Sequence, residues 1–126
     1  MSFAPLHCHS NFSLLYGTIF PEQLVNQAQR YGLKALALTD NDAIYGLVEF
    51  YNRARAGGIK PLPGVTLSTA CGDLVCLAEN NEGYRNICRL VTRRKLGQER
   101  VHPEILQKYH RSLLVLSPPG QHIPVL

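Results

Sequence analysis

The sequence predicts an α/β fold built on a largely parallel sheet, and three observations predict it. Short apolar runs alternate with amphipathic stretches along all 126 residues. Several of the amphipathic stretches carry proline near the start and glycine at the end, which are helix start and stop signals. The apolar runs, such as "LKALALTD" (33–40), lack the in-out alternation of a half-solvated strand, as expected of strands buried on both faces.

Taken in order, "APLHCH" (4–9) reads as a first strand. "FPEQLVNQAQRYG" (20–32) reads as a helix, with Pro21 in its first turn, Leu24, Val25 and Ala28 at helical spacing, and Gly32 as its stop. "LKALALTD" is the second strand. "AIYGLVEFYNRARAGG" (43–58) is a second helix, with Ile44, Leu47, Val48 and Tyr51 assigned to its inner side and Gly57-Gly58 ending it. "IKPLPGVTLST" (59–69) is a third strand, and "CGDLVCLAEN" (71–80) a fourth after a turn at Gly72-Asp73. "NEGYRNICRLVTRRKLG" (81–97) is a strong helix with Ile87, Leu90 and Val91 inward and arginines outward. "HPEILQKYH" (102–110) is a short helix, and "SLLVLSP" (112–118) a last buried strand. This alternation is the βαβ pattern of a parallel sheet.

A chain of this length makes one domain, here residues 1–126, with no repeat or linker. A hydrophobic fraction of 45% and a charged fraction of 17% describe an ordinary soluble protein. No apolar run is long enough for a membrane span and no signal peptide is evident, so a cytoplasmic location is expected. Cys8, Cys71, Cys76 and Cys88 form no CxxC pair and are read as reduced thiols. The formal charge of +4 permits contact with phosphates without arguing for it. Most of the excess lies in "RNICRLVTRRKLGQER" (85–100), where Arg85, Arg89 and Arg93 repeat at helical spacing beside Arg94. That stripe is a candidate nucleic-acid contact or a solvated face, and no aromatic residue interleaves with it along the helix.

The chemistry-bearing residues lie where parallel strands end, the usual place for sites in such sheets. His7 and His9, on one face of a strand, are candidate metal ligands or polar strand-end residues. Asp40 is a candidate third ligand, Asp42 a further oxygen, and both also suit a helix N-cap. Thr66 sits near the third strand end. A divalent ion held there would polarise a phosphate and activate water. His102, His110 and His122 have no partner spacing and are read as surface residues. No glycine-rich phosphate loop, nucleophile elbow or catalytic carboxylate pair stands out.

Three segments together, "FAPLHCHSNFSLLYGT", "ALALTDNDAIYGLVEFYNRARAGGIKPLPGV" and "LVCLAENNEGYRNICRLVTR", resemble the PHP (polymerase and histidinol phosphatase) domain, most closely that of bacterial DNA polymerase III alpha subunits and their error-prone relatives. The resemblance implies a distorted βα barrel, of which this chain holds about the first half, with mainly parallel strands. It also implies a strand-end metal cluster that hydrolyses phosphoesters in active members, as a phosphatase or a 3′–5′ exonuclease. In other members the site is lost and the domain stabilises the polymerase or binds the proofreading subunit.

Position by position, His7 and His9 match the opening His-x-His and Asp40 the aspartate of Thr-Asp-His. Tyr16 stands in place of an acidic ligand, Asn41 in place of a histidine, and Thr66 in place of the metal-bridging glutamate. These are poor ligands beside carboxylate and imidazole. The resemblance therefore implies an eroded site holding zinc, manganese or iron below stoichiometry or not at all. The expected role is structural or binding, in DNA replication or repair. The implied partners are polymerase or proofreading subunits, DNA, or a second copy covering open sheet edges. The alternative is a phosphoesterase completed by a partner chain. The chain alone would not polymerise DNA, and it reads as a fragment of a longer polymerase or as a stand-alone homologue.

Overall fold

A computed structural model describes residues 4–6, 8–10, 19–97 and 100–117. Helix α1 (Pro21–Arg30) starts with Pro21 in its first turn, where the missing N–H costs nothing, and the Phe20 N–H donates to Gln23 Oε1 at 2.9 Å. Strand β1 (Ala35–Leu38) leads to helix α2 (Leu47–Ala56) and strand β2 (Lys60–Thr69). Both helices end the same way. Gly32 and Gly58 take φ of +69° and +75°, and the next residue's N–H reaches back to Ala28 O at 2.9 Å and Ala54 O at 2.8 Å. This left-handed closure satisfies otherwise orphaned carbonyls and turns each chain directly toward a strand.

Strand β3 (Gly72–Ala78), helix α3 (Asn81–Gly97), helix α4 (Pro103–Lys108) and strand β4 (Leu113–Leu116) complete the order. The sheet runs β1-β2-β3-β4, with β1 and β2 parallel from Ala35↔Lys60 to Leu38↔Pro63. The α/β class holds, but the strand directions are mixed rather than mainly parallel: β2–β3 and β3–β4 pair antiparallel. The turn falls at Ala70-Cys71 rather than at Gly72-Asp73, which already pair with Thr69 and Ser68; this two-residue connection makes β2 and β3 a hairpin, and a parallel return needs a far longer crossover.

Pro61 and Pro63 lie within β2 at the end that pairs only with β1. Lys60 N–H points to Lys34 O across that pair at 2.8 Å, so alternate residues 61 and 63 face the other way. There they need no N–H, and there the β3 pairing stops.

Alternation along the strands sorts the core into two faces. Leu36 and Leu38 pack with Val25, Ala28, Leu47, Phe50 and Ala54 of α1 and α2. Val65, Leu67, Leu74 and Cys76 pack with Ile87, Leu90 and Val91 of α3 and Leu106 of α4. The opposite face carries Ala37, Val75 and Leu77 with Leu62 and Leu116. Helices on one face and an apolar second face are what the wall of a βα barrel requires. Phe50 is fully buried, a burial worth roughly 1.5–3 kcal/mol.

Three expectations need correction. "APLHCH" forms no strand among its described residues. It runs beside β1 through Ala37 N–H to Pro5 O (3.0 Å) and Thr39 N–H to Cys8 O (2.8 Å), a spacing of three residues against two. Pro5 has no N–H to return, and the Cys8 N–H turns instead to Thr39 Oγ1 at 3.1 Å. Helix α2 buries Leu47, Phe50 and Ala54, leaving Val48 64% exposed and Tyr51 39% exposed. Small Ala54 lets the helix axis approach the sheet on that side. Strand β4 is only half-buried, because it closes the strand order with β3 as its single named neighbour, and Leu114 stays exposed.

Candidate functional site

The end of β1 and the second half of β2 meet at Thr39, Asp40, Asn41 and Thr66. Past Leu38 the parallel pairing continues as a bridge between Asn41 and Thr66, with Thr66 N–H to Asp40 O at 3.0 Å and Asp42 N–H to Thr66 O at 2.9 Å. The Thr66 hydroxyl donates to Thr39 O at 2.7 Å. The N-terminal segment joins from the other side, and Ser10 is fully buried against Asp40. Its N–H donates to Asp40 Oδ1 and its hydroxyl to Oδ2, both at 2.6 Å.

A second aspartate is held the same way. Asp42 adopts φ of +47°, a left-handed conformation that Asp tolerates better than most residues. Its carboxylate accepts Ser68 N–H and Ser68 hydroxyl, each at 2.8 Å, and Arg94 Nε lies 3.3 Å away. Neither aspartate caps α2, whose N-cap is Gly46. Hydrogen bonds to carboxylates are stronger than neutral ones, so each Asp–Ser pair fastens two segments distant in sequence.

The sequence-predicted site residues therefore fall in different places. Asp40 and Thr66 come together, with half-buried His9 next to Ser10 in the chain. His7, Tyr16 and His122 lie outside the described residues. The exposed faces of His102 and His110 agree with their reading as surface residues. Arg94 turns to Asp42, whereas Arg85, Arg89 and Arg93 stay exposed on α3. Arg89 also donates to Asn86 Oδ1 at 3.1 Å, and its guanidinium sits 5.8 Å from the centre of the Tyr109 ring. Ser10 and Ser68 were not singled out from the sequence. Their partners lie 30 and 26 residues away, and the sole local signal for Ser10 was its place directly after His9.

Among the described residues, no three His, Cys, Asp or Glu side chains are grouped to hold an ion. Both Asp40 oxygens are engaged by Ser10, and the Thr66 hydroxyl is committed to a backbone carbonyl. A cavity of about 740 Å³ lies away from this cluster, beside the Pro61-Leu62-Pro63 end of β2, with Val48, Tyr51 and Leu114 on its wall.

Sequence and structure comparisons agree with this architecture. The PHP domain model matches residues 5–124. The DNA polymerase III alpha subunit of Bacillus subtilis is 36% identical over 129 aligned positions, covering 94% of this chain and 11% of that protein. The error-prone DNA polymerase of Symbiobacterium thermophilum is 43% identical over 100 positions, covering 79% of this chain and 9% of that protein. The chain thus spans about a tenth of the length of these relatives. Among solved structures, an amidohydrolase from Chromobacterium violaceum with bound sulfate and no metal superposes with a TM-score of 0.63 at 28% identity, over 75% of this chain and 34% of that one. A proposed metal-dependent phosphoesterase from Bifidobacterium adolescentis shares the fold, with a TM-score of 0.54 over 76% of this chain and 39% of that one. Among the described residues no helix is long and apolar enough to cross a membrane. With the family model matching residues 5–124 and the relatives aligning over most of the chain, the chain belongs to the PHP domain family and is related to the DNA polymerase III alpha subunit.

Proposed function

We propose that this chain is a structural and binding PHP module of a replication or repair polymerase system in the cytoplasm, in which the inherited metal site has become a hydrogen-bonded clamp. One observation carries the reading. Asp40, the matching metal-site carboxylate, is used on both oxygens to fasten Ser10 to the end of β1. Asn41 and Thr66 are uncharged where active relatives of the family need ligands, and Thr66 serves the backbone of Thr39. The binding role would engage polymerase or proofreading subunits, or a second copy, at the half-exposed β4 edge.

A second reading keeps phosphoester hydrolysis, with His7, His9 and Asp40 holding one zinc, manganese or iron ion and a partner chain adding ligands. The placement of Ser10 against Asp40, with His9 the residue before it in the chain, supports it. Thermal melting of metal-stripped protein with added zinc or manganese separates the two. A bound ion stabilises only the state that binds it. An unchanged midpoint supports the clamp, and a rise of about 3 °C or more, the scale of ~1 kcal/mol in a domain of this size, supports the phosphoesterase.

A further inference from the structure

The fold brings to the arginine stripe an aromatic residue from outside the helix. Tyr109, just past the end of α4, lies against α3. The Arg89 guanidinium is 5.8 Å from its ring centre and the Lys108 ammonium 5.5 Å. The Arg93 guanidinium, with Lys108, holds the Tyr109 hydroxyl below its ordinary pKa. Arg93 also stands on the rim of a recess of about 450 Å³ between the end of α3 and the start of α4. Arg100 shares that rim, and Leu96, Val101 and Ile105 supply apolar wall.

Among the described residues, Arg89, Arg93, Arg100 and Lys108 form no ion pair with a carboxylate; the arginines that do are Arg53 and Arg94. Like charges gathered with no carboxylate at ion-pair distance among the described residues repel one another, and an anion relieves that cost. Two features separate the classes of anion. The cations surround one tyrosine in a compact group, and beside them lies an apolar recess rather than a flat basic face. A duplex presents phosphates but no free base to fill a recess. An acidic peptide carries a planar group only where an aromatic side chain happens to stand beside its carboxylates, whereas every nucleotide of a single strand carries one. Single-strand binders combine backbone-tracking cations with sites for unstacked bases.

We propose that the seam between α3 and α4 binds the backbone of single-stranded nucleic acid, with Arg89, Arg93 and Lys108 taking phosphates and the adjoining recess taking an unpaired base. Arg94 is occupied by Asp42.

The test is fluorescence anisotropy of a labelled single-stranded 20-mer titrated with the full chain between 50 and 200 mM salt. Three neutralised phosphates give a log–log salt slope of about −2, a loss of about twentyfold in affinity over that range. Arg89→Gln/Arg93→Gln should reduce the loss to about threefold, while Arg53→Gln, on α2 and paired with Glu22, leaves the slope near that of the parent. Melting curves of each variant check the fold. Should the double variant unfold, the exposed Lys108→Gln carries the test, with a slope shallower by about 0.7. A salt-independent affinity, equal slopes in folded variants, or displacement by polyglutamate as effective as by unlabelled oligonucleotide would each overturn the proposal. So would a duplex binding at least as tightly as the single strand.

Discussion

Ser10 holds Asp40 by both of its donors, the N–H on one carboxylate oxygen and the hydroxyl on the other, each at 2.6 Å across 30 residues of chain. Both residues are buried, so the pair works where a lost partner cannot be replaced freely by water. Ser10→Ala leaves Asp40 Oδ2 without its hydroxyl donor and should destabilise the chain by about 1–3 kcal/mol in urea unfolding. Ser10→Thr keeps the donor and should recover part of that. A loss below ~0.5 kcal/mol would show the hydroxyl to be dispensable.

The matching pair at Ser68 and Asp42 predicts an order among variants. Asp42→Ala removes two hydrogen bonds and the Arg94 contact, and places an alanine at φ of +47°. Its cost should be about 2–4 kcal/mol. Asp42→Asn tolerates the left-handed backbone and still accepts from Ser68, so it should cost less. Arg94→Gln, which breaks a partly exposed ion pair, should cost least, about 1 kcal/mol or below. Equilibrium unfolding of the three side by side checks the ranking, and Arg94→Gln as the most damaging would contradict it.

Burial pushes the Cys76 thiol from 9 up to about 12. The sign follows directly. The unfolded chain releases this proton near pH 9 and the folded chain does not, so the contribution is intact below pH 9 and is lost as pH rises toward 12. Stability should therefore decline more steeply between pH 9 and 11 in the parent than in Cys76→Ala. A thiol reagent at pH 8 should leave Cys76 untouched until denaturant is added, since the thiolate is the reactive form. Rapid labelling of Cys76 in native protein would contradict this placement.

Much of the frame was legible along the chain because its signals are local. Pro21, Gly32 and Gly58 bound their helices by chemistry that acts within a turn, and Ile87, Leu90 and Val91 mark the buried face of α3 by spacing alone. The buried face of α2 was misassigned because Val48 and Tyr51 are as apolar as the Leu47 and Phe50 that the sheet selects. Strand direction escaped because β2–β3 pairing depends on a two-residue turn at Ala70-Cys71 that resembles any short loop. At the site, Asp40 and Thr66 were visible as strand ends, but no local pattern pairs Ser10 with Asp40, Ser68 with Asp42, or Tyr109 with Arg89. Those relationships exist only once the strands are side by side.

The most direct measurement is metal content per chain of untagged protein, by mass spectrometry, beside a His7→Ala/His9→Ala double variant. A clamp in place of a metal centre predicts far less than one zinc, manganese or iron per chain, unchanged in the variant. About one ion per chain, lost when the two histidines are removed, would contradict it and place phosphoester hydrolysis at the end of β1.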